Sequence, residues 1–160
     1  MRNNKDFRNY YDNIKKIANC DFGEIYEVKI KDGDERRAIK LINKNLIKNE
    51  IKNKCKKEPT IEEINKYINC FINEIKNMEI IEGKKKDNDN AVKFYEYFET
   101  ENEFVIVMEL CDEKLNFLLS KKQKEEESFT IEEVSDILNQ LNYTFKIMIE
   151  NNIIYKDLKL

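Results

Sequence analysis

The chain has 160 residues, of which 29 are Lys or Arg and 32 are Asp or Glu, giving a net charge of −3. That length allows one domain with a real core, and the near-neutral balance gives no reason to expect nucleic acid or an anionic membrane as partner. Three glycines, one proline and no histidine exclude linker-rich or collagen-like architectures, Ser-His and Cys-His nucleophiles, and histidine-containing zinc sites. Catalysis here has to run on carboxylates, lysines and bound metal. The first ten residues are polar without a signal-peptide pattern, and no long apolar run follows, which points to cytoplasm or nucleus. Cys20, Cys55, Cys70 and Cys111 form no C-x-x-C pair and read as buried free thiols of a reducing compartment.

Residues 11–42 are strand-like. Ile25, Tyr26, Val28 and Ile30 lead into Lys31-Asp32-Gly33-Asp34, a turn signal, and Arg37 to Ile42 lead out, which makes a hairpin. Residues 43–58 are a Lys/Asn-rich connection closed by Pro59, whose composition reads as a solvated insertion rather than a docking surface. Thr60 and Glu63 make a capping box, and Ile61, Ile64, Ile68, Phe71, Ile72, Ile75 and Met78 follow at helical spacing. A polar loop at 84–90 precedes two strand-like runs, 92–98 and 104–110, split by a Glu-Thr-Glu-Asn turn. A short helix near 115–119 and a charged loop at 121–127 come next. A second capping box, Thr130 with Glu133, then opens a long helix with Ile131, Val134, Leu138, Leu141, Phe145 and Met148 on one face. About five strands with one packed helix, then further helices, is an α+β arrangement. Toward its end the last helix turns apolar on several sides, from Tyr143 to Ile149 and on to Tyr155, and a helix apolar all round belongs in a core.

Two charged residues stand out. Lys40 shares a strand face with Ala38 and Ile42, where a lysine needs a counter-charge, a ligand or a route to water. Glu74 sits on the rim of the apolar face of the 61–78 helix, beside Tyr67. Taken singly, each is better explained by solvation.

Four segments tie them together. YDNIKKIANCDFGEIYEVKIKDGDERRAIKLI (11–42) is similar to the strand, nucleotide loop, strand and lysine strand of a kinase, and FINEIKNMEII (71–81) to the glutamate-bearing helix. VKFYEYFETENEFVIVMELCD (92–112) is similar to the fourth and fifth strands with the hinge, and NNIIYKDLKL (151–160) to the start of the catalytic loop. In this order they resemble a eukaryotic-type serine/threonine protein kinase domain from residue 11 onward.

The resemblance implies an N-terminal extension (1–10) and a small lobe of about five antiparallel strands and one long helix (11–110). The hinge and the first helices of an incomplete helical lobe would follow (111–160). It also implies transfer of the ATP γ-phosphate to a protein hydroxyl, with Mg2+ as second cofactor and a protein substrate or regulatory protein as partner. Lys40 would hold the α- and β-phosphates and pair with Glu74. Ile17, Ile25 and Ala38 would wall the adenine, while after Met108, itself among the nucleotide-binding positions, the Glu109 carbonyl and the Cys111 amide would read it from the hinge. Ala18, Cys20, Phe22 and Gly23 would form the phosphate loop. Asp157 would be the catalytic base, and Lys159 is the choice of serine/threonine kinases.

Departures from the family pattern are also legible. Ala18 and Cys20 stand where glycines are usual, and any φ > 0 there would cost about 1–2 kcal/mol. Tyr155 and Lys156 replace a His-Arg pair, and Leu160 replaces a proline. Lys40 and Glu74 are 34 positions apart, a long spacing caused by the 43–58 stretch. The metal-binding Asn and D-F-G aspartate that follow the catalytic loop in the family are not reached by residue 160. The chain therefore reads as a truncated form, inactive alone, with a pseudokinase-like binding module as the alternative.

Overall fold

The structure, a computed structural model, describes residues 7–85 and 90–155. Three consecutive strands open the sheet, β1 (Tyr11–Cys20), β2 (Gly23–Ile30) and β3 (Arg36–Asn43). With β4 (Phe94–Glu99) and β5 (Glu103–Glu109) they form one antiparallel sheet in the order β1-β2-β3-β5-β4. Two compact units divide the chain: Met1–Met78 with Lys93–Leu110, and Glu79–Val92 with Cys111–Leu160.

The sheet belongs to the first unit, and the two-residue period of its strands sorts side chains into two cores. Ile39, Leu41, Val105 and Val107 join one cluster, while Ile42, Phe104 and Ile106 join the other. Two helices complete the second cluster. In α1 (Lys44–Cys55), Ile47 and Ile51 lie one turn apart and are buried. In α2 (Ile61–Lys84), Phe71 and Ile75 do the same. The sequence pattern predicts a single helix here and a solvated insertion at 43–58. That stretch is instead a helix started by Asn43, whose side chain accepts the Asn45 N–H at 2.8 Å, and it contributes core. Its surface lysines are partly neutralised in place, by Lys54–Glu50 and Lys57–Glu63 ion pairs.

The capping box on α2 forms as expected: the Thr60 N–H donates to Glu63 Oε2 at 2.7 Å and the Glu63 N–H to Thr60 Oγ1 at 3.2 Å. That backbone donor holds the Glu63 carboxyl below its usual range. The helix outlasts its periodic stretch, running past Met78 to Lys84.

Residues 7–10, just before the sheet, are anchored. Phe7 opens a 3-10 turn (Phe7–Asn9) and is buried with Tyr11 in the first cluster, and Tyr10 stacks on Phe98 at 6.1 Å. The Tyr11 hydroxyl donates to Glu96 Oε1 (2.9 Å) and accepts from the Arg37 guanidinium (3.3 Å), which lies 3.7 Å over the Tyr95 ring. Burial first, and then the Glu96 acceptor, push the Tyr11 hydroxyl up to about 12. The folded chain thus holds this proton more tightly than the unfolded chain. Its stabilisation is complete below about pH 10 and is lost as pH rises toward 12. Urea midpoints should fall over that window, less steeply in Tyr11→Phe; parallel slopes for the two proteins would contradict the assignment.

The second unit holds α3 (Leu115–Lys124) and α4 (Ile131–Glu150). The second capping box forms, with Thr130 N–H to Glu133 Oε2 at 2.8 Å and Glu133 N–H to Thr130 Oγ1 at 3.1 Å. α3 continues into the stretch read as a charged loop, because Lys121, Lys122 and Lys124 suit the negative end of a helix dipole. Along α4, Ile147 and Met148 are buried while Ile131, Val134, Leu138 and Leu141 are exposed. The four cysteines are unbridged thiols, but only Cys20 is even half-buried; Cys55, Cys70 and Cys111 are exposed, which corrects the expectation of buried thiols. Cys70 shows why: it lies on the outer face of α2 and bonds back to the Lys66 carbonyl of its own helix. Among the described residues no helix is long and apolar enough to cross a membrane.

Candidate nucleotide-binding site

β3 places Ala38, Lys40 and Ile42 on one face, and the neighbours of Lys40 in the sheet are Ile25 of β2 and Ile106 of β5. Ala18 of β1 pairs with Ile25, so Ala18, Ile25, Lys40 and Ile106 form a row across four strands. A partly buried ammonium in such a row favours a partner. Glu74 of α2 provides it, with Lys40 Nζ 2.6 Å from Glu74 Oε1. Only 20% of the Lys40 side chain is exposed against 40% for Glu74, so the pair opens toward solvent on the glutamate side.

Ala38 is buried beside Met108, and Ile17 remains exposed where the β1–β2 pairing is irregular. Met108 and Glu109 close β5. The Glu109 N–H donates to the Lys93 carbonyl at 2.8 Å, and the Lys93 N–H to Glu109 Oε2 at 3.0 Å, which fixes that strand end. Cys111 is exposed and belongs to the second unit. Asp157 and Lys159 lie outside the described residues.

The turn between β1 and β2 carries Asp21 and Phe22 at its tip, flanked by the Cys20–Gly23 pair. The cost foreseen at Ala18 and Cys20 does not arise, because neither has positive φ; Phe22 does, at 62°. Gly23 is required for a different reason. A Cβ there would stand 1.8 Å from the Leu41 carbonyl oxygen, so the close approach of β2 and β3 excludes any side chain. Burial raises the Cys20 thiol above its usual range, against an opposing pull from the Lys40 ammonium. Beside it, the Lys16 ammonium and then the Tyr26 hydroxyl hold the Glu24 carboxyl low.

Sequence reasoning missed where Phe22 goes. Its ring packs edge-on against Tyr67 and Phe71 of α2, with centroids 6.1 and 5.9 Å away, and its carbonyl accepts the Asn43 N–H at 2.8 Å. The available signal was the spacing of Tyr67, Phe71 and Glu74, which puts two aromatic rings and the carboxylate on one helical stripe. A cation on an otherwise apolar sheet face, oriented by a carboxylate, is suited to anionic phosphate oxygens.

The comparisons agree with this geometry. The protein kinase domain family model matches residues 11–160. The chain is 29% identical over 153 residues to the serine/threonine-protein kinase polo of Drosophila melanogaster, covering 96% of this chain and 23% of that protein. It is 26% identical to calcium-dependent protein kinase 4 of Plasmodium berghei, covering 99% of this chain and 26% of the relative. Against calcium-dependent protein kinase 5 of Plasmodium falciparum the identity is 26%, with shares of 99% and 24%. The chain spans about a quarter of the length of these relatives. With its sheet order, its paired lysine and glutamate and a family match from β1 onward, the chain belongs to the protein kinase domain family.

Proposed function

We propose that the chain supplies the ATP-binding part of a serine/threonine protein kinase. The observation that carries this is the 2.6 Å contact of Lys40 with Glu74. Glu74 takes one of the three ammonium donors and orients the rest, leaving Lys40 to bind the α- and β-phosphate oxygens. Ile17, Ile25 and Ala38 would provide the apolar walls, and Glu109 with Cys111, following Met108, the hinge that reads adenine. The backbone of Ala18, Cys20, Phe22 and Gly23 would cover the phosphates. Bound ATP supplies the transferable phosphoryl group, and Mg2+ is proposed to enter with its phosphates. Asp157 is assigned as the base that orients the acceptor hydroxyl and Lys159 as its cationic neighbour; the acceptor is a protein in cytoplasm or nucleus. In this reading 11–110 is the small lobe and 111–160 the hinge and start of the larger one, after a short N-terminal extension. The 160-residue polypeptide assayed alone is expected to bind nucleotide without transferring phosphate.

Lys40→Met tests the site. Loss of charge-assisted bonds worth about 1.5–3 kcal/mol predicts nucleotide affinity weaker by roughly 10- to 100-fold. An ion pair this open to solvent contributes about 0–1 kcal/mol to folding, so the melting temperature should hardly move. Titration with a fluorescent ATP analogue and a thermal melt read both quantities, and unchanged affinity would remove Lys40 from the site. Ala18 and Cys20 in place of glycines favour a second reading, a binding module without catalysis. A folded chain with no affinity for ATP would select it.

A further inference from the structure

Two parts of the sheet meet one stripe of α2. Lys40 of β3 meets it at Glu74, and Phe22 at the β1–β2 tip meets it at Tyr67 and Phe71, both edge-on. Tyr67, Phe71 and Glu74 are spaced i, i+4, i+7, so the loop tip is gripped one to two turns before the carboxylate that orients Lys40. The grip works against a backbone cost, since Phe22 holds φ 62°, a conformation bulky residues rarely adopt. It also has a backbone tie, the Asn43 N–H on the Phe22 carbonyl at 2.8 Å.

We propose that Phe22, Tyr67 and Phe71 form an aromatic clamp that positions the phosphate loop from helix α2, making Tyr67 and Phe71 positioning residues for the nucleotide. The inference rests on the nucleotide-site reading above and extends it. A loop already held in place loses less freedom when a ligand arrives, whereas a released tip has to be re-ordered by the ligand itself. Affinity for nucleotide therefore depends on Tyr67, and movement of α2 is transmitted to the loop.

Tyr67 is half-exposed and tests the clamp with less risk to folding than the buried Phe71. In the full chain, the Kd for Mg-ATP and the rate of Cys20 alkylation by N-ethylmaleimide, read by peptide mass spectrometry, are measured for five proteins. These are wild type, Tyr67→Ala, Tyr67→Phe, Phe22→Ala and the double alanine variant. Each alanine variant should raise Kd about three- to tenfold, the worth of an edge-on aromatic pair, and speed Cys20 alkylation by a similar factor. The double variant should do no more than the stronger single one, because both remove the same contact. Tyr67→Phe, which keeps the ring, should match wild type. Additive effects on Kd, or a Cys20 rate unchanged by Tyr67→Ala, would overturn the clamp. The Lys40→Met control separates the two ideas. Unchanged Cys20 rates beside a weakened Lys40→Met refute the clamp alone. Faster Cys20 alkylation beside an unaffected Lys40→Met retains the clamp and refutes the nucleotide site.

Discussion

Gly23→Ala is expected to destabilise the chain by about 3 kcal/mol or more and to lower its melting temperature by about 6–12 °C. The added Cβ would lie 1.8 Å from a backbone oxygen, that of Leu41, and no rotamer change relieves a contact with backbone. β2 and β3 would have to part where Gly23 pairs with Ile42, at the edge of the core that Ile42 helps to fill. Gly83 is the control. A Cβ there would meet nothing within 4 Å, and the residue sits inside α2, so Gly83→Ala should stabilise by about 0.5–1 kcal/mol. Equal melting temperatures for the two variants would mean that the close approach of β2 and β3 does not depend on Gly23.

Ile47→Ala is expected to cost about 2–5 kcal/mol, as for a fully buried aliphatic side chain. Ile47 has no exposed surface and packs in the cluster that contains Ile42, Phe71, Phe104 and Ile106. Were residues 43–58 a solvated insertion, the same change would stay within about 0.5 kcal/mol. Urea denaturation separates these outcomes, and a midpoint equal to wild type would place α1 outside the core.

The contrast shows what the sequence could and could not reveal. The capping boxes at Thr60 and Thr130 were legible because they satisfy backbone groups within four residues, where no tertiary information is needed. The β2–β3 hairpin and the last two strands were legible from turn signals and apolar runs, whereas the β1–β2 turn and the pairing of Lys40 with Glu74 came from the resemblance of the flanking segments. α1 was not legible: its Ile47 and Ile51 are diluted by lysines and asparagines, and two apolar positions make a weak period. The buried Phe7 and the grip of α2 on Phe22 depend on contacts distant in sequence, which propensity does not encode. Asp157 and Lys159 rest on resemblance alone and fall outside the described residues.

The shifted groups have a consequence for proton exchange. Glu24, Glu35, Glu63 and Glu133 are all displaced to the acidic side by donors at their carboxylates. Tyr11, Tyr26, Tyr95 and Cys20 are displaced to the alkaline side. The chain has no histidine, and none of these shifts brings a group into the window of about pH 6–8 where histidine switches act. In that window the four carboxylates stay ionised and the three phenols and the thiol stay neutral, so none of them exchanges protons with the solvent. Calorimetric binding runs in buffers of different ionisation enthalpy would therefore show no contribution from them near neutrality. Proton release seen there on adding a nucleotide would be assigned first to the phosphates of the ligand.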